Sequence, residues 1–236
     1  MRVRLIHGFT QTATSWNPVE ARLPADWDVQ ALEIPDGLDF VATAEAIGHR
    51  GGGAATWGGY SMGARLCLRL ALDRPDDVER LVLVSGTAGI RGEAARKARR
   101  ASDEQLARDA ERDGVANFLE RWLDQRMFET LPRKAAMLDD RRRGNNVHRL
   151  VHQLRALGQG TQEPLWDRLG TLAMPVLLVT GQWDRAYAET AEQMRAAIGN
   201  NATHVTMPKS GHSVNLERPD ELAHVLMTWL EGDTTA

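Results

Sequence analysis

Six short β-rich runs separated by stretches of helical spacing constrain this 236-residue chain more than any other feature. They occupy residues 3–6, 29–34, 56–60, 80–85, 176–180 and 203–207. Several are apolar through most of their length instead of alternating, which is the pattern of parallel strands covered on both faces. Helical spacing fills the gaps, as in residues 63–72 and in 219–230, where Pro219 suits a first helical turn. The fold class expected is α/β, with a mostly parallel sheet of about six or seven strands flanked by helices.

Between Gly92 and about Gly160 the β-rich runs stop and charged helical periodicity takes over, for longer than a connection in a compact domain runs. The expected organisation is a core of residues 1–90 and 161–236 with a helical cap, 91–160, inserted between core strands. Apolar runs of four residues fall far short of the roughly 20 that a membrane span needs. The first turn signal, Gly8, arrives before any leader-like apolar stretch, so the expected location is cytoplasmic. The single cysteine, Cys67, excludes an internal disulfide and reads as a small core thiol. No cluster has metal-ligand spacing and no phosphate-binding glycine loop follows the first run, so no metal or organic cofactor is expected.

Charge is segregated. Residues 91–155 hold 14 Arg and 2 Lys against 11 Asp and Glu, although the whole chain carries a net −3. An anionic small-molecule ligand would account for this, and a solvated helix face is the plain alternative. A nucleic-acid surface is the weaker reading, because the segment offers only three aromatics, Phe118, Trp122 and Phe128. The oligomeric state is left open.

Gly59-Tyr60-Ser61-Met62-Gly63 follows one β-rich run and opens a helical stretch, the setting in which Gly-x-Ser-x-Gly makes a nucleophile elbow. A serine hydroxyl is a weak nucleophile and needs an imidazole, which in turn needs a carboxylate to fix its tautomer. Asp184 follows the fifth run and His212 the sixth, whereas the other histidines lie in helical stretches, inside the last run, or at the first turn. Ser61, Asp184 and His212 are therefore the candidate catalytic residues. Taken singly, Asp184 also reads as a helix cap and His212 as a polar loop residue. His7-Gly8-Phe9 ends the first run where a turn would aim a backbone N–H at a reacting oxygen, so the N–H groups of Phe9 and Met62 are the expected oxyanion donors. Arg65 lies one helical turn after Ser61 on a face that should be buried; it reads either as a structural salt bridge or as a guanidinium holding a ligand carboxylate.

The order serine, acid, histidine, with 7-HGFTQT-12, 59-GYSMGAR-65, 86-GTAGIR-91, 118-FLERW-122, Asn145-Asn146, 160-GTQEPLW-166 and Gly211-His212, resembles the α/β-hydrolase superfamily. Within it, the chain is similar to the 2-succinyl-6-hydroxy-2,4-cyclohexadiene-1-carboxylate synthases of menaquinone biosynthesis. That resemblance implies an α/β-hydrolase fold and a lyase whose triad removes a proton so that pyruvate is eliminated from a substrate with three carboxylates. It also implies a substrate site of Tyr60, Arg65, Arg99, Trp122 and Arg143, with Arg100 and Arg142 as the neighbouring registers in the cap. The chain departs from the family at the 35–38 loop, Pro-Asp-Gly-Leu, and in carrying Arg185 and Tyr187 where lysine and phenylalanine are expected. A serine hydrolase acting on a small acidic ester or a carbon–carbon bond is the alternative activity, and a ligand receptor on the same fold the third.

Overall fold

The β-rich runs pair into a single sheet in the computed structural model, which describes residues 1–232. The strands are β1 (Arg2–Ile6), β2 (Asp28–Leu32), β3 (Ala55–Tyr60), β4 (Val78–Val84), β5 (Val176–Gly181) and β6 (Ala202–Met207). Their order is β2-β1-β3-β4-β5-β6, and every neighbouring pair is parallel. β3 and β5 are buried at each position, whereas the edge strands β2 and β6 are partly open to solvent. The second strand stops at Leu32 rather than Ile34, because Leu32 lies opposite Ile6, where β1 itself ends and the ladder has no further partner.

The helices are α1 (Asn17–Glu20), α2 (Phe40–Gly51), α3 (Met62–Asp73), α4 (Glu93–Leu123), α5 (Leu138–Gly144), α6 (Val147–Leu157), α7 (Arg185–Ile198), α8 (Val214–Glu217) and α9 (Pro219–Gly232). Alternate strand residues face opposite layers. Leu81, Leu83 and Leu178 pack with Ile47, Leu66, Leu70 and Met194 of α2, α3 and α7, while Val82, Val84, Leu177 and Val179 pack with Val19, Leu222 and Leu226 of α1 and α9. Cys67 is fully buried in the first layer, and desolvation pushes its thiol pKa up.

Three helices, α4 to α6, lie between β4 and β5 and share a small apolar cluster built from Ala107, Ala110, Phe118, Leu119, Leu150 and Leu154. α4 breaks at Gly114, whose φ of 72° is a left-handed conformation that favours glycine. Arg149 of α6 reaches back to Glu33 and Asp36, each at 3.2 Å, so the 35–38 loop carries an ion pair to this helical segment. Among the described residues no helix is long and apolar enough to cross a membrane.

Glu33 is a fastening point. Partial burial pulls its pKa upward, but hydrogen bonding and charge from His7, the Ala13 N–H and Arg149 prevail and hold it at about 2 against an ordinary 4.5. A carboxylate with a depressed folded pKa contributes stability above its unfolded pKa and loses it as pH falls towards the folded value. Urea-denaturation midpoints should therefore fall less steeply between about pH 4.5 and pH 2 in Glu33→Gln than in the unaltered protein.

Candidate active site

The turn from β3 into α3 places Ser61 in a conformation that L residues rarely adopt, with φ 51° and ψ −106°. Such strain costs on the order of 1–3 kcal/mol and persists only where the surroundings enforce it. The Ser61 N–H donates to the Val84 carbonyl at 2.9 Å, and its side chain makes no capping bond, so the hydroxyl is not engaged by the helix end. The two glycines serve close approach. A Cβ on Gly59 would stand 2.4 Å from the Gly63 carbonyl group, and one on Gly63 would stand 2.2 Å from the Ile6 carbonyl oxygen.

His212 Nε2 lies 3.1 Å from Ser61 Oγ, and His212 Nδ1 lies 2.6 Å from Asp184 Oδ2. A carboxylate only accepts, so Nδ1 carries the proton and Nε2 faces the serine as an acceptor. Asp184 sits at the start of α7 without making a side-chain capping bond, so its carboxylate serves the imidazole and not the helix. The loop bearing His212 is braced from both sides. Ser85 Oγ donates to the His212 carbonyl at 2.8 Å, and Glu217 accepts from the N–H groups of Gly211 at 2.8 Å and Ser213 at 3.0 Å. Thr130 Oγ1 donates to the same Glu217 carboxylate at 2.8 Å. Sequence reasoning missed Glu217, whose only signal is an acid five residues after the histidine.

The N–H groups of Phe9 and Met62 have no acceptor among the described residues, and both residues border the cavity that contains Ser61. His7 Nδ1 donates to the Gly8 carbonyl at 2.8 Å and fixes the turn that carries Phe9. The cavity encloses about 230 Å³ and is also lined by Arg65, Arg99, Trp122, Gln153 and Tyr187. Rings of Phe9, Phe118 and Phe128 surround Trp122, with Phe9 edge-on at 4.8 Å between centroids. Trp122 Nε1 and both polar atoms of the Gln153 amide are buried without a partner among the described residues.

Arg65 is 5% exposed, donates to Gln162 Oε1 and the Leu157 carbonyl, each at 2.8 Å, and lies 5.5 Å from the Phe40 ring. It forms no salt bridge among the described residues, and burial lowers its pKa to about 10. Arg99 is more open; it donates to Asp103 Oδ1 at 2.8 Å and to Gln159 Oε1 at 3.0 Å.

Two residues expected to bind substrate stand elsewhere. Tyr60 is turned away from the cavity because strand alternation sends its side chain into the α1 and α9 layer, where its ring meets Gly8 and its hydroxyl bonds Ser213 Oγ at 2.9 Å. Arg143 is 71% exposed and pairs with Asp140, one turn away on α5. Its alternative register does not replace it, since Arg142 pairs with Glu120 and Asp139; Arg100, the alternative to Arg99, pairs with Glu93 and the Gly160 carbonyl, while Arg99 lines the cavity. The inward arginine is Arg141, 2% exposed, which donates to the Ala136 carbonyl at 2.7 Å and to Thr10 Oγ1. With Asn145 Nδ2 bonded to the Thr10 carbonyl at 2.8 Å, it braces the Phe9 turn from outside the cavity. Its spacing from Leu138 and Asn145, at i+3 and i−4, is the signal that marks it as inward-facing.

Residues 5–225 match the alpha/beta hydrolase family, and the chain belongs to it. Among curated relatives it is 28% identical to a Bacillus subtilis (strain 168) protein provisionally named 2-succinyl-6-hydroxy-2,4-cyclohexadiene-1-carboxylate synthase, over 95% of this chain and 88% of that one. It is 26% identical to the synthase of that name from Salmonella heidelberg (strain SL476), over 94% and 92%. Its backbone superposes on MenH from S. aureus with a TM-score of 0.91 at 23% identity, covering 98% of this chain and 94% of that structure.

An organophosphonate that labels activated serines tests the site without reference to a substrate. Ser61→Ala should take no label. Glu217→Gln, which leaves one flanking amide poorly held, should slow labelling by roughly threefold to tenfold, as expected for loss of about one hydrogen bond.

Proposed function

We propose that this protein eliminates pyruvate from 2-succinyl-5-enolpyruvyl-6-hydroxy-3-cyclohexene-1-carboxylate to give 2-succinyl-6-hydroxy-2,4-cyclohexadiene-1-carboxylate in menaquinone biosynthesis. The observation that carries this reading is Arg65, a buried guanidinium beside Ser61 held only by neutral acceptors and a ring face. A buried cation with no carboxylate within hydrogen-bond reach is costly, Asp103 of the same cavity being engaged by Arg99, and a substrate carboxylate would supply the missing contact. Arg99 offers a second contact, and Trp122 and Gln153 bring unspent polar atoms to the same space. The names of the curated relatives point the same way, and they are similar over nearly the whole chain. Residues 91–160 act as the cap, supplying Arg99 and Trp122.

In this mechanism Asp184 holds His212, and His212 draws the Ser61 proton so that the serine oxygen can remove the hydrogen from ring carbon 2, beside the succinyl carbonyl. The released electron pair forms an enolate whose oxygen faces the Phe9 and Met62 N–H groups. As the carbonyl re-forms, the pair moves through the ring double bond and expels the enolpyruvyl oxygen from carbon 5. The enzyme gives up the proton held on His212 as the departing enolpyruvate takes one at carbon and becomes pyruvate, so the imidazole ends neutral. Neither water nor an external oxidant enters the balance.

Pyruvate release from the pathway substrate, measured beside turnover of a short-chain nitrophenyl ester, tests the assignment. Ser61→Ala should abolish pyruvate release, a loss of about 2–4 kcal/mol of transition-state stabilisation or more. Arg65→Lys keeps the charge but not the fork, and should lower kcat/KM on the tricarboxylate at least about tenfold. Full activity of Arg65→Lys on that substrate would favour the ester hydrolase instead.

A further inference from the structure

Gln159 determines what Tyr187 can do. Arg99 Nη1 donates to Gln159 Oε1 at 3.0 Å, and because an arginine offers no acceptor, the amide has one permitted orientation. Its Nε2 therefore stands 2.9 Å from the Tyr187 hydroxyl oxygen, and the hydroxyl accepts. The direction of this relay is set at its far end, where buried Asp103 accepts from Arg99 Nε at 2.8 Å. A phenol that accepts one bond still has its own proton to give, and no acceptor among the described residues takes it.

Packing places the ring at the cavity. The Tyr187 ring lies 4.5 Å from the His212 imidazole, centroid to centroid, and the side chain lines the cavity with Ser61, Arg65 and Arg99. We propose that Tyr187 donates its phenolic proton to a ligand carboxylate lying between Arg65 and Arg99, and is a specificity-determining residue for anionic substrates. This deepens the function proposed above and rests on its anion-binding cavity. Burial holds the phenol above its ordinary pKa against the pull of Gln159, Arg65 and Arg99, so it stays a donor near neutral pH. A bond from this hydroxyl to a carboxylate is charge-assisted and stronger than one to a neutral acceptor, which gives the site a preference and not merely affinity.

The test titrates the unaltered protein, Tyr187→Phe and Arg65→Lys with succinate and with its uncharged diamide, succinamide. Binding is followed by tryptophan fluorescence, and the low-field His212 Nδ1–H resonance reports whether the ring next to Tyr187 has moved. Tyr187→Phe should bind succinate about tenfold more weakly, change succinamide binding by less than about twofold, and keep the resonance in place. Unchanged succinate affinity, or equal weakening for both ligands, overturns the assignment of Tyr187 and leaves the anion site standing when Arg65→Lys still discriminates against succinate. An unaltered protein that does not prefer succinate to succinamide overturns both together.

Discussion

The site depends on backbone packing against backbone where β3 turns into α3. Without side chains at Gly59 and Gly63, the first turn of the helix lies against the carbonyls of Ile6 and His7, and Ser61 is forced into its left-handed conformation. An alanine at either position would push the helix off the sheet and carry the serine with it. The sheet is wholly parallel, so the other participants follow the same edge: Phe9 after β1, Ser85 after β4, Asp184 after β5 and the His212 loop after β6. One steric concession at the centre of the sheet thus fixes the frame in which the rest of the site is assembled.

The sheet was legible because buried parallel strands tend to be apolar at successive positions, as residues 81–84 of β4 and 176–179 of β5 are. Ser61, Asp184 and His212 were legible for a related reason, since each directly follows a strand and parallel strands share an edge. Direction was harder to read. Tyr60 adjoins Ser61 in sequence, but adjacent strand residues face opposite layers, and the tyrosine goes to the α9 side. Arg141, Arg142 and Arg143 differ only in helical phase, and a run of charges carries no phase of its own. The inward position was set by the packing of Leu138 and Asn145 about Arg141.

The charge pattern changes meaning once partners are known. Most arginines of residues 91–155 are paired with carboxylates of the same segment: Arg112 with Asp109 and Asp113, Arg121 with Asp113, Arg133 with Glu120 and Asp124, and Arg155 with Glu104 and Glu111. The solvated helix face accounts for these. Exposed pairs of this kind contribute little to stability, and they leave little charge for a ligand. The arginine that does face the cavity without a carboxylate is Arg65, which lies outside that segment. A single buried guanidinium bonded to neutral acceptors carries more functional information than a surplus of five across an exposed surface.

Glu217 has a reach that its position on a four-residue helix conceals. One carboxylate accepts from the amides on either side of His212 and from the hydroxyl of Thr130, which belongs to the helical segment between β4 and β5. The helical segment and the His212 loop therefore share one carboxylate. Loss of the Thr130 bond would loosen the carboxylate that holds Gly211 and Ser213, and with it the imidazole that faces Ser61. Contact between the helical segment and the core is in this way coupled to the aim of the imidazole at Ser61.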